Sequence, residues 1–365
     1  MKAIKILGPR RAKVAANVPK PDLPDDCVMI KTMAVSINPT DWKHIDFIST
    51  KGATAGCDYS GVVEELGASV DREMIKVGDR VAGYTHGCNG ENLSDGSFAE
   101  YIAAKAHINF KLPDSMSFEE GCTLAVGLTT VGQGLYQNLK LPLPSTLHVD
   151  LDTAVGDRPE TNGTQQYILI YGGSTATGTL AIQFSKMSGY RVITTCSAHN
   201  FPLARSRGAD HVLDYHDADC AAQIRSLTGD SLALAFDCIT TSESIAICCD
   251  ALSSRPEVAG KSYCGLFTVG RLPRADVRSG FAMAYTGLGN SFQKWDNYYP
   301  ESREDARFAG DFLRLSSALL AEGRVMVHPT RACQGGLKGV LEGIDMMRKG
   351  NVTGVKLVYP LIQTD

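Results

Sequence analysis

Residues 167–195 read YILIYGGSTATGTLAIQFSKMSGYRVITT. An apolar run, a glycine-rich turn, a helical stretch and a second apolar run follow one another within about thirty residues, the unit that sets a dinucleotide pyrophosphate on a helix N-terminus. Gly172, Gly173 and Gly178 supply the tight turn and the close approach of helix to strand. The strict G-x-G-x-x-G is broken by Thr175 where the second glycine would stand, and the hydroxyls of Ser174, Thr175 and Thr177 offer donors in its place. The same residues also suit a glycine-rich turn in any doubly wound sheet.

The surrounding pattern extends that unit. From Gln166 to Gly270 the strand-like runs QYILIY, RVITTC, HVLDY, LALAFD and KSYCGLFTVG alternate with helical segments, which predicts a parallel sheet covered by helices on both faces. No carboxylate stands in TTCSAHN (194–200), about 20 positions after the glycine turn, where NAD-dependent folds hold the ribose hydroxyls; Ser197, His199 and Asn200 offer neutral or cationic donors instead. A 2′-phosphate would meet no repulsion there, so NADP is expected over NAD, although Ser and Asn are equally ordinary helix caps.

The N-terminal part reads differently. KAIKIL, VMIKTMAVSIN, SGVVEEL and DRVAGY are short strands punctuated by Gly61, Gly67, Gly78, Gly83 and Gly96, as around a small barrel. Ser117 with Glu120 forms a capping box for a helix predicted to run on through CTLAVGLTTVGQGLYQNL. The stretch 140–165, rich in Pro, Asp and Thr, reads as a surface loop or linker. EDARFAGDFLRLSSALLAEG and QGGLKGVLEGIDMMRKG are amphipathic helices, and GVKLVYP is a closing strand; this tail is too short to fold alone and is expected to pack back on the first two parts.

Composition narrows the class. The chain has 365 residues, 44% hydrophobic and 21% charged with a net charge of −4, the profile of a globular protein without the positive field that holds nucleic acid. Its 11 cysteines contain no C-x-x-C pair, which argues against a disulfide framework and a zinc knuckle alike; Cys248 and Cys249 read as packing residues in a helix. No run approaches the ~18 apolar residues of a membrane span, and the expected address is the cytoplasm.

INPTDWK (37–43), GCDYSGVVEELG (56–67), VGDRVAG (77–83) and DGSFAEYIAA (95–104) carry a second constellation. Their spacing, with LAVGLTTVGQGL and YGGSTATG, resembles the medium-chain dehydrogenase/reductase superfamily over nearly the whole chain. Where zinc-dependent members carry a cysteine and a G-H-E block, this sequence has Asn38-Pro39 and Gly56-Cys57-Asp58, and Cys88 stands alone where a structural-zinc lobe would lie. No metal is expected. NLKLPLPS (138–145), TTCSAHNFPLARSRGADHVLDY (194–215) and GGLKGVLEGIDMMRKGNVTGVKLV (335–358) are similar to the trans-acting enoyl reductases that serve fungal iterative polyketide synthases, of the lovastatin-pathway type.

That resemblance implies an α/β fold. A GroES-like β-rich catalytic domain (1–139 with 320–365) would join a Rossmann doubly wound parallel-sheet domain (140–319), with the cofactor in the cleft between them. It implies NADPH contacts from Thr40, Asp41, Trp42 and Lys43; from Ser174, Thr175, Ala176 and Thr177; from Ser197, Ala198, His199, Asn200 and Tyr215; and from Leu266, Phe267, Val352 and Thr353. It implies an acyl chain bordered by Ala125, Val126, Gly127, Leu128, Thr129, Thr130, Val131 and Gly132 and by Tyr285, Thr286, Gly287, Leu288 and Gly289. A proline is usual at Ala125 and larger residues at Gly287 and Gly289, departures that touch the substrate pocket rather than the cofactor.

The implied reaction is hydride transfer from NADPH to the β-carbon of an unsaturated acyl thioester on the acyl carrier protein of a polyketide synthase or a synthase–peptide synthetase hybrid. It leaves an enolate that a cation would stabilise. Lys43 is the candidate for that role, against the alternatives of a ribose anchor or a solvated surface charge. Asp41 orders the same loop, Asp58 reads as a packing residue, and His44 and His107 read as structural. A stand-alone quinone or enone reductase and a non-catalytic docking protein are the rival readings. Arg271, Pro273, Arg274 and Arg278 would shield KSYCGLFTVG as the last strand of its sheet, so a monomer is expected.

Overall fold

The computed structural model describes residues 1–146 and 166–361. The chain divides into two compact units, Met1–Thr129 with Ala284–Asp365 and Thr130–Met283.

The first unit opens with β1 (Ala3–Gly8) and β2 (Arg11–Ala15), an antiparallel pair. Then come β3 (Cys27–Ser36), α1 (Pro39–Lys43), β4 (Asp58–Leu66), β5 (Arg80–Tyr84), β6 (Tyr101–Lys105), β7 (Phe110–Lys111), α2 (Phe118–Gly121) and α3 (Ala125–Val131). The second unit holds β8 (Tyr167–Tyr171), α4 (Ala176–Met187), β9 (Arg191–Thr195), α5 (Phe201–Ser206), β10 (His211–Leu213), α6 (Cys220–Leu227), β11 (Leu234–Asp237), α7 (Ser242–Ala251), β12 (Ser262–Gly265) and β13 (Arg278–Phe281). The chain returns to the first unit with β14 (Phe292–Lys294), β15 (Asn297–Tyr299), α8 (Arg303–Ala321), β16 (Thr330–Ala332), α9 (Gly336–Arg348) and β17 (Lys356–Pro360).

Among the described residues the first unit's main sheet runs β16-β17-β3-β4-β5-β7, with β6 on β3. The register between β3 and β4 shifts after Met29 and after Thr32, bulges that bend a long strand around a closed core of Ile4, Ile6, Val28, Ile30, Tyr59 and Phe98. At Gly61 a Cβ would stand 2.3 Å from the Lys31 carbonyl oxygen, so β4 passes β3 at a distance only glycine allows. The expected tail strand pairs antiparallel with β3, and the C-terminal segment from Ala284 groups with this unit alone.

The second unit is one parallel sheet in the order β10-β9-β8-β11-β12-β13. The order reverses between β8 and β11, the switch point at whose carboxyl ends open α/β sheets bind ligands. Leu169, Ile193, Ala235, Tyr263 and the adjacent Cys248 and Cys249 fill one face, and all 11 cysteines are free thiols.

Four expectations change. The helix predicted over 117–139 begins with the capping box at Ser117, but α2 ends after four residues, and α3 leads into a π-helical turn over Gly132–Asn138. The wider turn carries Gly134 against Phe236, whose ring would lie 2.4 Å from a Cβ there. KSYCGLFTVG is not the last strand of its sheet: β13 pairs beyond it, and Arg278, expected to guard an edge, lies within β13 and donates to the Asn138 carbonyl. The premise of the monomer expectation therefore moves to β13. The unit boundaries fall earlier than 139 and 319, because 130–138 packs on β12 and β13 while α8 packs on 284–288, 106–108 and β7. Of the surface loop expected over 140–165, residues 147–165 lie outside the described residues, and Leu141, Pro142 and Pro144 are buried rather than exposed.

Candidate functional site

In the parallel-sheet unit β8 ends at Tyr171 and the chain turns through Gly172, at φ +82°, into α4. A Cβ at Gly173 would stand 2.0 Å from Thr194 Oγ1, and one at Gly178 2.2 Å from the Gly172 carbonyl oxygen. Thr175 is the N-cap: its hydroxyl donates to Gly172 O at 2.8 Å and accepts from Gly178 N–H at 2.9 Å. It is therefore spent on the turn, which corrects the expectation that all three hydroxyls face a phosphate. Ser174 and Thr177 remain half-buried, with hydroxyls that bond no other described residue, beside the opening N–H groups of Ala176 and Thr177. Amides, two hydroxyls and the positive end of a three-turn helix fit a pyrophosphate.

At the carboxyl end of β9, Ser197 Oγ approaches Tyr215 OH at 3.5 Å, and Ala198, His199 and Asn200 form an open turn. A carboxylate does stand here: Asp214, just before Tyr215, accepts from Ala198 N–H at 3.3 Å and from the His216 ring at 2.6 Å. The His216 backbone and ring hydrogen bonds hold its carboxyl below the usual range. HVLDY shows this residue in sequence; what the sequence hides is that β10 lies beside β9 and carries Asp214 to the turn that follows β9. Deeper in the sheet, buried Asp237 accepts from Ile239 N–H, Thr240 N–H, Ser244 Oγ and Tyr263 OH, and Thr240 Oγ1 accepts from Leu266 N–H at 2.8 Å. This network was not anticipated. It fixes the loops bearing half-buried Leu266 and Phe267 at the switch-point end.

In the barrel unit Asn38 caps α1, and Asp41 Oδ2 accepts from Asn38 N–H at 2.7 Å. Asp41 is 1% exposed, and burial, with Asp58 nearby, raises its carboxyl to about 7. Its carboxylate orders the loop and faces inward. Trp42 is half-buried, and the Lys43 ammonium lies 5.9 Å from its ring centre, with burial lowering the Lys43 pKa. Val352 and Thr353 lie in the loop between α9 and β17.

Thr40 joins a chain of contacts that sequence reasoning missed. His44 Nδ1 donates to the Gly87 carbonyl at 3.0 Å, leaving Nε2 to accept from Thr40 Oγ1 at 3.2 Å. Thr40 Oγ1 lies 2.9 Å from Tyr285 OH, which lies 3.2 Å from Cys57 Sγ. His86 stacks on Tyr285 at 4.2 Å, and the Lys294 ammonium sits 4.7 Å from the Tyr285 ring centre and 5.2 Å from that of Trp295. His44, read as structural, is a member of this cluster; burial keeps it and His86 (lowered to about 3) neutral.

The two blocks implied for the acyl chain are braced locally. Val126 N–H donates to Asp58 Oδ1 at 2.9 Å, Tyr84 OH to Ala284 O at 2.7 Å and His107 Nε2 to Gly287 O at 3.0 Å. Gly287 answers one departure: a Cβ there would meet Tyr84 OH at 2.8 Å and Ala309 Cβ at 2.9 Å, so packing demands the glycine. Gly289 has φ +80°. Asp58 is held by Lys356 Nζ at 2.6 Å and Asn38 Nδ2 at 2.9 Å. Among the described residues no group of three or more His, Cys, Asp or Glu could hold a metal ion. No helix among them is long and apolar enough to cross a membrane.

The alcohol dehydrogenase GroES-like domain model matches residues 24–114 and the zinc-binding dehydrogenase model residues 176–263, the second despite the missing ligand set. A trans-enoyl reductase of Aspergillus sclerotiorum is 43% identical over 98% of this chain and 99% of its own. One from Cochliobolus carbonum is 47% identical over 80% and 91%. Among solved structures, the Escherichia coli quinone oxidoreductase complexed with NADPH has a TM-score of 0.71 at 16% identity, covering 99% of this chain and 100% of that one, a likeness of fold.

Proposed function

The chain belongs to the trans-enoyl reductases of the medium-chain dehydrogenase/reductase superfamily, and from that premise we propose that it reduces the α,β-double bond of a polyketide acyl thioester held on an acyl carrier protein of an iterative synthase. The likeness to trans-enoyl reductases along the whole chain carries the reading. A dinucleotide cradle and a cation-bearing hydroxyl cluster without metal ligands support it.

When bound, the reduced nicotinamide supplies the hydride. The amides of Ala176 and Thr177 and the hydroxyls of Ser174 and Thr177 would hold the pyrophosphate, and Leu266 and Phe267 would flank the ring end. As the β-carbon is reduced, negative charge gathers on the thioester oxygen. Lys43, half-buried and desolvated, is the cation that meets it, because a charge in a water-poor site acts at short range and full strength. NADPH is the cofactor: Ser197, His199 and Asn200 line the ribose turn, and three donors occupy the Asp214 carboxylate.

Replacing Ser197 with Asp adds a carboxylate that nothing in this turn neutralises. The kcat/KM with NADPH should fall at least about tenfold, a pKa-scale interaction of ~1.4 kcal/mol, while that with NADH holds or rises. An unchanged NADPH preference would place the phosphate site elsewhere.

Oxidation of NADPH by one enoyl group, presented on a carrier protein and on N-acetylcysteamine, tests the main reading. The carrier form should show the higher kcat/KM, with an advantage that shrinks as salt rises. Equal efficiency at low salt would remove the carrier; turnover of quinones or free enones alone would remove the thioester.

A further inference from the structure

The barrel unit buries an ammonium without a counter-ion. Lys294 is 4% exposed, and no carboxylate among the described residues lies within ion-pair distance of it; its ammonium lies over the rings of Tyr285 and Trp295. Lys43 is close enough to repel it. A desolvated, unpaired cation is costly unless negative charge forms beside it during function. The group it covers is the Tyr285 phenol, which ends a hydrogen-bonded path to the hydroxyl of Thr40, a half-buried residue.

We propose that Tyr285 is the source of the proton that completes the reduction, that the Thr40 hydroxyl passes it to the α-carbon, and that the Lys294 ammonium holds the phenolate charge left behind. This rests on the enoyl reductase reading above. After hydride reaches the β-carbon, the electron pair of the former double bond lies on the enolate. The Thr40 O–H bond breaks as the Cα–H bond forms. The Tyr285 O–H bond breaks as the Thr40 hydroxyl is restored, and the phenolate then takes a proton from water. Rotation about Cβ–Oγ1 turns the Thr40 hydrogen from His44 Nε2 toward the substrate.

Burial pushes the Tyr285 phenol well up, yet an enolate carbon is a stronger base than any phenolate, so the transfer still runs toward carbon. Burial, with Lys43, lowers Lys294 to about 8. Of the other ionisable groups in the cluster, His44 and His86 are lowered and Cys57 and Cys88 raised, so they stay neutral near that pH, while Asp41, raised to about 7, ionises first and acts on Tyr285 from the side of α1. Lys294 therefore carries its charge below about pH 8 and loses it above.

Steady-state reduction of an enoyl N-acetylcysteamine thioester, with cofactor affinity and Tm measured in parallel, tests the path. Thr40→Val and Tyr285→Phe should each lower kcat about 10²-fold or more with KM little changed, and Thr40→Ser should restore it. Wild-type kcat should fall as pH rises through about 8, and Lys294→Met should remove that limb from a lower rate. A Tyr285→Phe or Thr40→Val enzyme within twofold of wild type, or a Lys294→Met profile that keeps the fall, overturns the proposal. Should the buried variants not fold, the Thr40 pair at its half-buried position decides alone. A wild-type enzyme inactive on every enoyl thioester defeats the parent reading, a different outcome from an active enzyme indifferent to these substitutions.

Discussion

Replacing Gly178 with alanine should cost the enzyme its cofactor. The new Cβ would stand 2.2 Å from the Gly172 carbonyl oxygen and 2.9 Å from Gly173 Cα, both backbone atoms that no rotamer change can move aside. Relief requires α4 to draw away from the turn, which breaks the Thr175 cap and scatters the amides of Ala176 and Thr177. Overpacking of this kind costs about 1–3 kcal/mol, and because the strain falls on the phosphate cradle, cofactor affinity should drop by about 10–10². Gly189→Ala is the control: nothing lies within 4 Å of its added methyl, so only the strain of φ +89° is felt. Its Tm should fall slightly and its cofactor affinity stay at the wild-type value. Titration of NADPH against both variants reads the difference, and a Gly178→Ala protein within threefold of wild type would show that the turn does not hold the phosphates.

The turn was legible because strand, glycines, N-cap and helix all lie within one local stretch and obey local rules. The same holds for the capping box at Ser117 and for α8 and α9, whose apolar faces repeat at helical spacing. The parallel sheet itself follows from alternation alone; its strand order does not. What escaped was long-range. Thr40 and Tyr285 are 245 positions apart, and no periodicity records that their hydroxyls meet. Lys294 reads as one more surface lysine until β14 turns it inward onto an aromatic face. RSGF has four residues and no alternation, too little to mark β13, so the sequence pattern puts the edge one strand too early. The break after α2 has a local trace in Gly121, whose Cβ would lie 2.6 Å from Leu112. That constraint, too, belongs to packing.

Lys356 and Asp58 are another long-range pair, 298 positions apart. Lys356→Met should produce the largest loss of stability among these substitutions. Asp58 is fully buried, and Lys356 is 4% exposed. The carboxylate receives Lys356 Nζ and Asn38 Nδ2 on one oxygen and Val126 N–H on the other, while Lys356 also donates to Thr123 O at 2.9 Å. Removing the ammonium leaves a charged acceptor in the core with two neutral donors, a change that costs about 3–5 kcal/mol in comparable buried pairs. Against a total stability of about 5–15 kcal/mol, that is enough to bring the barrel unit near unfolding. Asp58→Asn in the Lys356→Met background should recover part of the loss, because an amide needs no counter-ion and still accepts from Val126 N–H. The double variant being more stable than Lys356→Met is what identifies uncompensated charge, rather than lost packing, as the cause. Chemical denaturation of the wild type and the two variants measures it. A Lys356→Met loss below about 1 kcal/mol would mean that the pair contributes no more than an exposed one. Asp58 ties Asn38, the cap of α1, to the first turn of α3. The loop carrying Thr40 and Lys43 should therefore lose its order with the same substitution, and activity should fall at temperatures where the unit is still folded.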